Sequence, residues 1–152
     1  MASTLILGLG NNLRGDDGAG PAVVTALLFM DLPQQIEIVD GGTLGLEIVL
    51  LLQGYERVII VDAADMGLQP GQWRRFTLDT AELKINENKL RGTLHAAGLA
   101  EALVLAGALD MLPETLIFYG IQPEEIDWSD NLSAPVQAAI PNIAKAIVEE
   151  FH

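Results

Sequence analysis

Strands and helices that alternate along the chain predict an α/β fold: a three-layer α/β/α sandwich with a mainly parallel, twisted sheet. Three observations carry this prediction. The segments Thr4–Leu9, Arg57–Ala63 and Leu116–Ile121 are apolar at consecutive positions, as strands covered on both faces are. Between them, apolar residues recur at helical spacing, as in Ala22, Val23, Ala26, Leu27 and Met30. The first strand reaches the first helix through Gly8-Leu9-Gly10-Asn11-Asn12-Leu13-Arg14-Gly15-Asp16-Asp17-Gly18-Ala19-Gly20, a glycine-rich turn at the carboxyl edge of a strand, where open α/β sheets bind ligands.

The elements follow in order. The first strand is Thr4 to Leu9, and the first helix begins between Gly18 and Pro21, since proline is tolerated in a first turn. Pro33 marks that helix's end. A short strand, Ile36 to Val39, stops at Asp40-Gly41-Gly42, and Thr43 is placed to cap a helix from Leu44 to Gln53 that Gly54 terminates. Arg57 to Ala63 is a β-branched central strand presenting Asp62 at its carboxyl end. Gln72 to Leu78, mixing Trp73 and Phe76 with Arg74, Arg75 and Thr77, reads as an edge strand of antiparallel sense. Asp79 to Gly92 lacks a period and reads as a loop. Thr93 caps a helix from His95 to about Leu105 with the stripe Leu99, Ala102, Leu103 and Ala106. The last strand, Leu116 to Ile121, ends at Gln122-Pro123. An acidic loop with Glu124, Glu125, Asp127 and Asp130 leads to a terminal helix, Pro135 to Phe151, which Pro141 should kink or divide. Crossovers should be right-handed.

Length and charge bound what such a chain does. Its 152 residues are expected to form one domain, 1–152, with half of them hydrophobic and enough for a core. Cysteine is absent, which removes disulfides, thiol nucleophiles and cysteine-ligated metal and agrees with a cytoplasmic location. Met1–Leu9 lacks the basic start and long apolar centre of a secretory signal, and Leu44–Leu52 is too short to span a bilayer, so no membrane association is expected. With 21 acidic against 8 basic residues the net charge is −13, which repels phosphate backbones and argues against nucleic acid as a partner. The chain is expected to act as a monomer.

Two chemistries compete for the glycine-rich stretch. A dinucleotide fingerprint needs Gly-x-Gly-x-x-Gly; Gly8 and Gly10 fit, and Asp40 stands where a ribose ligand would, but position 13 is leucine. Asp16-Asp17 would also put negative charge where a pyrophosphate should sit. The other reading is a metal site. Asp17 at the first helix start, Asp62 at a strand end and His95 at a helix start can share one carboxyl edge, and two carboxylates with one imidazole suit zinc or nickel. Each residue also has a purely structural reading: Asp17 as a helix cap, Asp16 bonding loop amides, Asp62 ending a strand, His95 as a core histidine on the stripe with Leu99 and Ala102. His152 is terminal, Trp73 and Trp128 read as packing residues, and Glu124-Glu125 reads as a solvated face. No Gly-x-Ser-x-Gly elbow or other nucleophile arrangement is present.

The same stretch resembles the signature loop of the NiFe-hydrogenase maturation endopeptidases. Asp40-Gly41-Gly42-Thr43, Val61-Asp62-Ala63, Leu94-His95 and Gly120-Ile121-Gln122-Pro123 match that family in order and at compatible spacing, over nearly the whole chain. The resemblance implies a twisted five-stranded sheet between helices. It implies an endopeptidase that removes a C-terminal extension from the hydrogenase large-subunit precursor once nickel has been inserted. Asp17, Asp62 and His95 fall on the family's nickel-recognising positions and would serve as both metal-contacting and catalytic residues. The nickel would be carried by the substrate, and the resting enzyme would need none. Asp16 and Asp40 match the pattern too, in structural roles. Nickel could activate the attacking water, or a carboxylate such as Asp17 could act as general base. A non-catalytic nickel- or precursor-binding chaperone of the same fold is the alternative, and a nucleotide-dependent enzyme is a third.

Overall fold

The computed structural model describes residues 3–78, 99–124 and 126–152. Five strands, β1 (Thr4–Leu9), β2 (Ile36–Gly42), β3 (Arg57–Ala63), β4 (Trp73–Thr77) and β5 (Thr115–Ile121), form one sheet in the order β2-β1-β3-β5-β4. β1, β2, β3 and β5 are parallel, and β4 is an antiparallel edge strand, with Arg75 opposite Tyr119. Among the described residues the α-helices are α1 (Ala19–Leu27), α2 (Ile48–Leu52), α3 (Leu99–Ala108) and α4 (Ala134–Glu149).

Strand periodicity divides the apolar residues between two cores. Ile6, Ile59, Val61, Ile117 and Tyr119 pack with Val23 and Leu27 of α1 and Ile140, Ile143 and Ile147 of α4. Leu5, Leu7, Val58, Ile60 and Phe118 pack on the other face with Ile48 and Leu52 of α2 and Leu99 and Leu103 of α3. The expected three layers are therefore present. No helix among the described residues is long and apolar enough to cross a membrane.

Several boundaries differ from the sequence reading, each for a local reason. β2 runs on through Asp40 to Gly42, because Gly8 pairs with Asp40 and Leu9 with Gly42 after a shift in register. The helix expected over Leu44–Gln53 shrinks to α2. Residues before it are spent on turns: the Leu44 N–H donates to the Gly41 carbonyl, and the Gly45 N–H donates to a Glu47 carboxylate oxygen at 3.1 Å. Thr43 therefore caps nothing; Glu47 holds the N-cap position of α2 without a side-chain bond. α4 is one continuous helix across Pro141, which lies on its exposed side, so the expected kink or division does not break the element. The loop expected over Asp79–Gly92, the cap Thr93 and the helix start at His95 lie outside the described residues.

The far end of α4 is fixed by charge. Glu150 accepts hydrogen bonds from Arg57, Arg75 and Tyr119, so residues of three strands hold one carboxylate. Burial would raise its pKa, but the bonds from Arg75 and Tyr119 and the two guanidinium charges outweigh that and hold it below the ordinary value.

Candidate active site

β1 leads through α1 to β2 on one side, whereas β3 continues the sheet on the other, so the chain reverses its order between β1 and β3. Open α/β sheets bind ligands at such a switch point, beyond the carboxyl ends of the strands. Asp17 and Asp62 stand on either side of it.

The glycine stretch is shaped by close backbone approach. After β1, Gly10 turns with φ of 135°, and a Cβ there would lie 1.8 Å from the Asp17 carbonyl oxygen. Gly20, in the first turn of α1, sits so close to β1 and β3 that a Cβ would meet the Leu9 carbonyl oxygen at 2.3 Å and that of Val61 at 2.5 Å. The helix thus begins directly on the two strands, and a short 3-10 turn, Gly15–Gly18, carries both aspartates into place.

The two adjacent carboxylates do different things. Asp16 is completely buried. Its Oδ1 accepts the Ser133 N–H at 2.7 Å, and its Oδ2 accepts the Glu124 N–H at 2.8 Å and the Ser133 hydroxyl at 2.7 Å. This is the amide-bonding role expected for it, with partners from the loop between β5 and α4. Asp16→Ala would leave those donors unpaired in the interior and should lower stability by about 2–4 kcal/mol. Urea unfolding measures the loss, and a midpoint unchanged from the parent would refute the role.

Asp17 instead faces a cavity. Its Oδ2 accepts the Asn11 N–H at 2.9 Å, so its own loop orients it and it caps no α-helix. The cavity, of about 130 Å³, is bounded by Leu9, Gly10, Asp17, Gly42, Thr43, Leu44 and Asp62. Asp62 shares strand parity with Val58 and Ile60, so its side chain lies on the α2/α3 face of the sheet. Only 2% of the residue is exposed, and its Oδ2 has no hydrogen-bond partner among the described residues. Burial, then the charge of Asp17, pushes the Asp62 carboxyl well above the usual carboxylate range, against a bond from the Ala63 backbone.

The structure therefore brings Asp17 and Asp62 to one cavity, and His95 lies outside the described residues. Among the described residues no three His, Cys, Asp or Glu side chains cluster as a metal site. Two carboxylates that line one cavity, one of them dry and short of a hydrogen-bond partner among the described residues, repel each other, and such a pair of oxygen donors could hold a divalent ion.

Two residues of the family-matching segments were given no part in the site by the sequence. Thr43, expected as a helix cap, lines the cavity instead. Gln122 secures the chain that leaves Asp62: its Oε1 accepts the N–H of Met66 at 2.7 Å and of Leu68 at 3.2 Å, and its Nε2 donates to Asp65 at 3.2 Å. A buried amide between a strand end and a proline was the available signal. Asp40 is structural, its Oδ1 accepting the Gly42 N–H at 2.9 Å. Trp73 packs against Tyr119 as expected, with ring centroids 5.9 Å apart, but Trp128 is no packing residue: it is 74% exposed.

Comparison with known proteins adds to this geometry. The hydrogenase maturation protease (HycI) family model matches residues 21–150. The hydrogenase expression/formation protein HupD of Rhizobium leguminosarum bv. viciae is 37% identical over 139 residues, covering 90% of this chain and 68% of that protein. Among solved structures, the hydrogenase maturating endopeptidase HybD from E. coli superposes with a TM-score of 0.82 at 29% identity, over 99% of this chain and 91% of that one. The hydrogenase 2 maturation peptidase from Thaumarchaeota archaeon SCGC_AB-539-E09 superposes with a TM-score of 0.77 at 34% identity, over 97% and 96% of the two chains.

Proposed function

The chain belongs to the hydrogenase maturation protease family, and from that premise we propose that it removes a C-terminal extension from the nickel-loaded large-subunit precursor of a NiFe hydrogenase, with the inserted nickel as recognition element. One observation carries the nickel reading: Asp62, buried with its Oδ2 unpartnered among the described residues, shares a cavity with Asp17. Two carboxylates that share a cavity, with no counter-charge among the cavity-lining residues described, favour a cation between them.

In this reading nickel arrives as part of the substrate. Asp17 and Asp62 grip its open positions, with His95 as the third contact. The dication offsets the repulsion between the carboxylates and the dehydration of Asp62, so a precursor without it is bound less well at the cavity. Peptide hydrolysis needs a polarised carbonyl, an activated water and stabilisation of the developing oxyanion. The bound nickel fixes the scissile bond beside the cavity. Asp17, held by the Asn11 N–H yet open to the cavity, is placed to take the proton of the attacking water. A cavity of about 130 Å³ suits a metal-bound edge of the precursor and a water rather than a folded segment, and in this reading the cleaved strand runs across its mouth.

The test is mass spectrometry of the precursor. Incubation with the nickel-loaded form should shorten it at its C-terminus, whereas the nickel-free form should keep its mass. Asp17→Asn and His95→Ala should each reduce cleavage at least a hundredfold while leaving the circular dichroism spectrum unchanged. Equal cleavage of the nickel-free precursor would remove the recognition role of nickel. Stable binding of the loaded precursor with no mass change would identify a chaperone instead.

A further inference from the structure

Two loops at the carboxyl edge of the sheet are locked to each other. One is the glycine loop that carries Asp17, and the other joins β5 to α4. Arg14 and Ser129 form an isolated parallel bridge, in which the Gly15 N–H donates to the Ser129 carbonyl at 2.8 Å and the Ser129 N–H donates to the Leu13 carbonyl at 2.9 Å. Asp16 adds its bonds to Glu124 and Ser133 underneath. The two loops are thereby held as one body, at the expense of a fully buried carboxylate.

That body presents apolar surface to water. Leu13 is 60% exposed, Ile126 44% and Trp128 74%, and the Arg14 guanidinium carbon lies 5.4 Å from the centre of the Trp128 ring. Beside them is a depression of about 330 Å³ whose lining includes Gly15, Asp127, Trp128 and Asn131. A single exposed leucine is ordinary. A tryptophan and an arginine stacked together on a pinned surface, with apolar neighbours and an adjoining pocket, have the composition of a binding hot spot.

We propose that this Leu13, Arg14 and Trp128 platform is where the hydrogenase precursor docks, presenting an apolar side chain to Leu13 and Trp128 and a lysine or arginine to the depression at Asp127. The proposal rests on the reading of this chain as a protease acting on that precursor. Two facts select the occupant. Leu13 lies four residues before Asp17 in one loop, so a partner seated on the platform contacts the segment that carries a cavity-lining carboxylate. The platform is ringed by exposed Glu124, Asp127 and Asp130 on a chain of net charge −13, which attracts a basic partner and repels a second copy of itself.

Nickel-free precursor, which is not consumed, isolates docking from cleavage. By calorimetry its affinity should fall about 30-fold for Trp128→Ala, the size of a hot-spot truncation, and about 10-fold for Asp127→Lys. With nickel-loaded precursor, KM should rise by similar factors while kcat stays within about twofold, and the melting temperature should hold because both side chains are exposed. Leu13→Ser gives an independent variant on the other loop. Binding lost in Trp128→Ala without cleavage by the parent enzyme would leave docking standing and remove the protease reading of this chain. Cleavage with unchanged affinity and KM in Trp128→Ala would overturn the docking site. So would a change in the oligomeric state of the free enzyme with precursor affinity intact, which would make the platform a self-contact. A parent enzyme that neither binds nor cleaves the precursor overturns both.

Discussion

Asp62→Asn is expected to abolish cleavage of the nickel-loaded precursor and, in the same protein, to raise stability by about 1–2 kcal/mol at pH 8. The two effects have one cause. The carboxylate lies in a dry position, near a second negative charge, with Oδ2 unpartnered among the described residues. Folding the ionised form therefore costs free energy that an amide does not cost. The sign follows from linkage. The carboxyl is raised in the folded state, so the native protein holds its proton at a pH where the unfolded chain, near ~3.9, has released it. Stability from the protonated form is complete below the unfolded value and is lost as pH rises through the folded one. The gain from Asp62→Asn should accordingly be near zero at pH 3.5 and larger at pH 8. Denaturant titrations at both pH values check it. A variant no more stable than its parent at pH 8 would mean that Asp62 is not a site of stored electrostatic strain. The carboxylate is kept because a cation arriving with the substrate turns that cost into binding energy.

Why this site was partly legible in the sequence can be traced residue by residue. β1 and β3 carry uninterrupted apolar runs, and burial on both faces of a sheet is what such runs are for, so their limits matched the structure. An aspartate closing one of those runs was conspicuous for the same reason. The segment Asp40-Gly41-Gly42 misled because local turn chemistry was overridden by pairing: the Gly42 carbonyl accepts the Gly10 N–H at 2.8 Å, a contact no local window contains. The run from Leu44 to Leu52 has no clear period, so nothing in it announced that its first half would be turns. The pair Asp16-Asp17 is the clearest case. Two identical neighbours take opposite roles because Asp16 meets partners 108 and 117 residues away, while Asp17 is held by Asn11 within its own loop. Trp128 was misjudged for a related reason. Its exposure follows from loop 126–131 being held out by Asp16 and Ser129, and composition carries no trace of that tether. The family resemblance identified the candidate set, but it could not say that Asp62 would be short of a partner.

The second large effect falls on a residue with no side chain. Gly10→Ala should destabilise the protein by about 4 kcal/mol or more and eliminate cleavage, although alanine is the smallest change available. A φ of 135° is one that alanine rarely adopts, and the added methyl would stand 1.8 Å from the Asp17 carbonyl oxygen. Relief requires moving the backbone of Asp17 itself, because no flexible side chain separates the two. The 3-10 turn runs straight into α1, which Gly20 seats against β1 and β3, so the turn has nowhere to retreat without lifting the start of α1 off the sheet. Gly42→Ala is the control: φ there is 55°, nothing lies within 4 Å of the added Cβ, and the expected cost is only about 1 kcal/mol. Thermal and urea unfolding of the two variants side by side separates backbone strain alone from strain plus collision. Should Gly10→Ala unfold at the same denaturant concentration as Gly42→Ala and still process precursor, the close approach would be immaterial. The result expected is that glycines in this stretch act inward. Gly10 and Gly20 let one backbone segment press on another until the carboxylate of Asp17 is held on the cavity that Asp62 also lines.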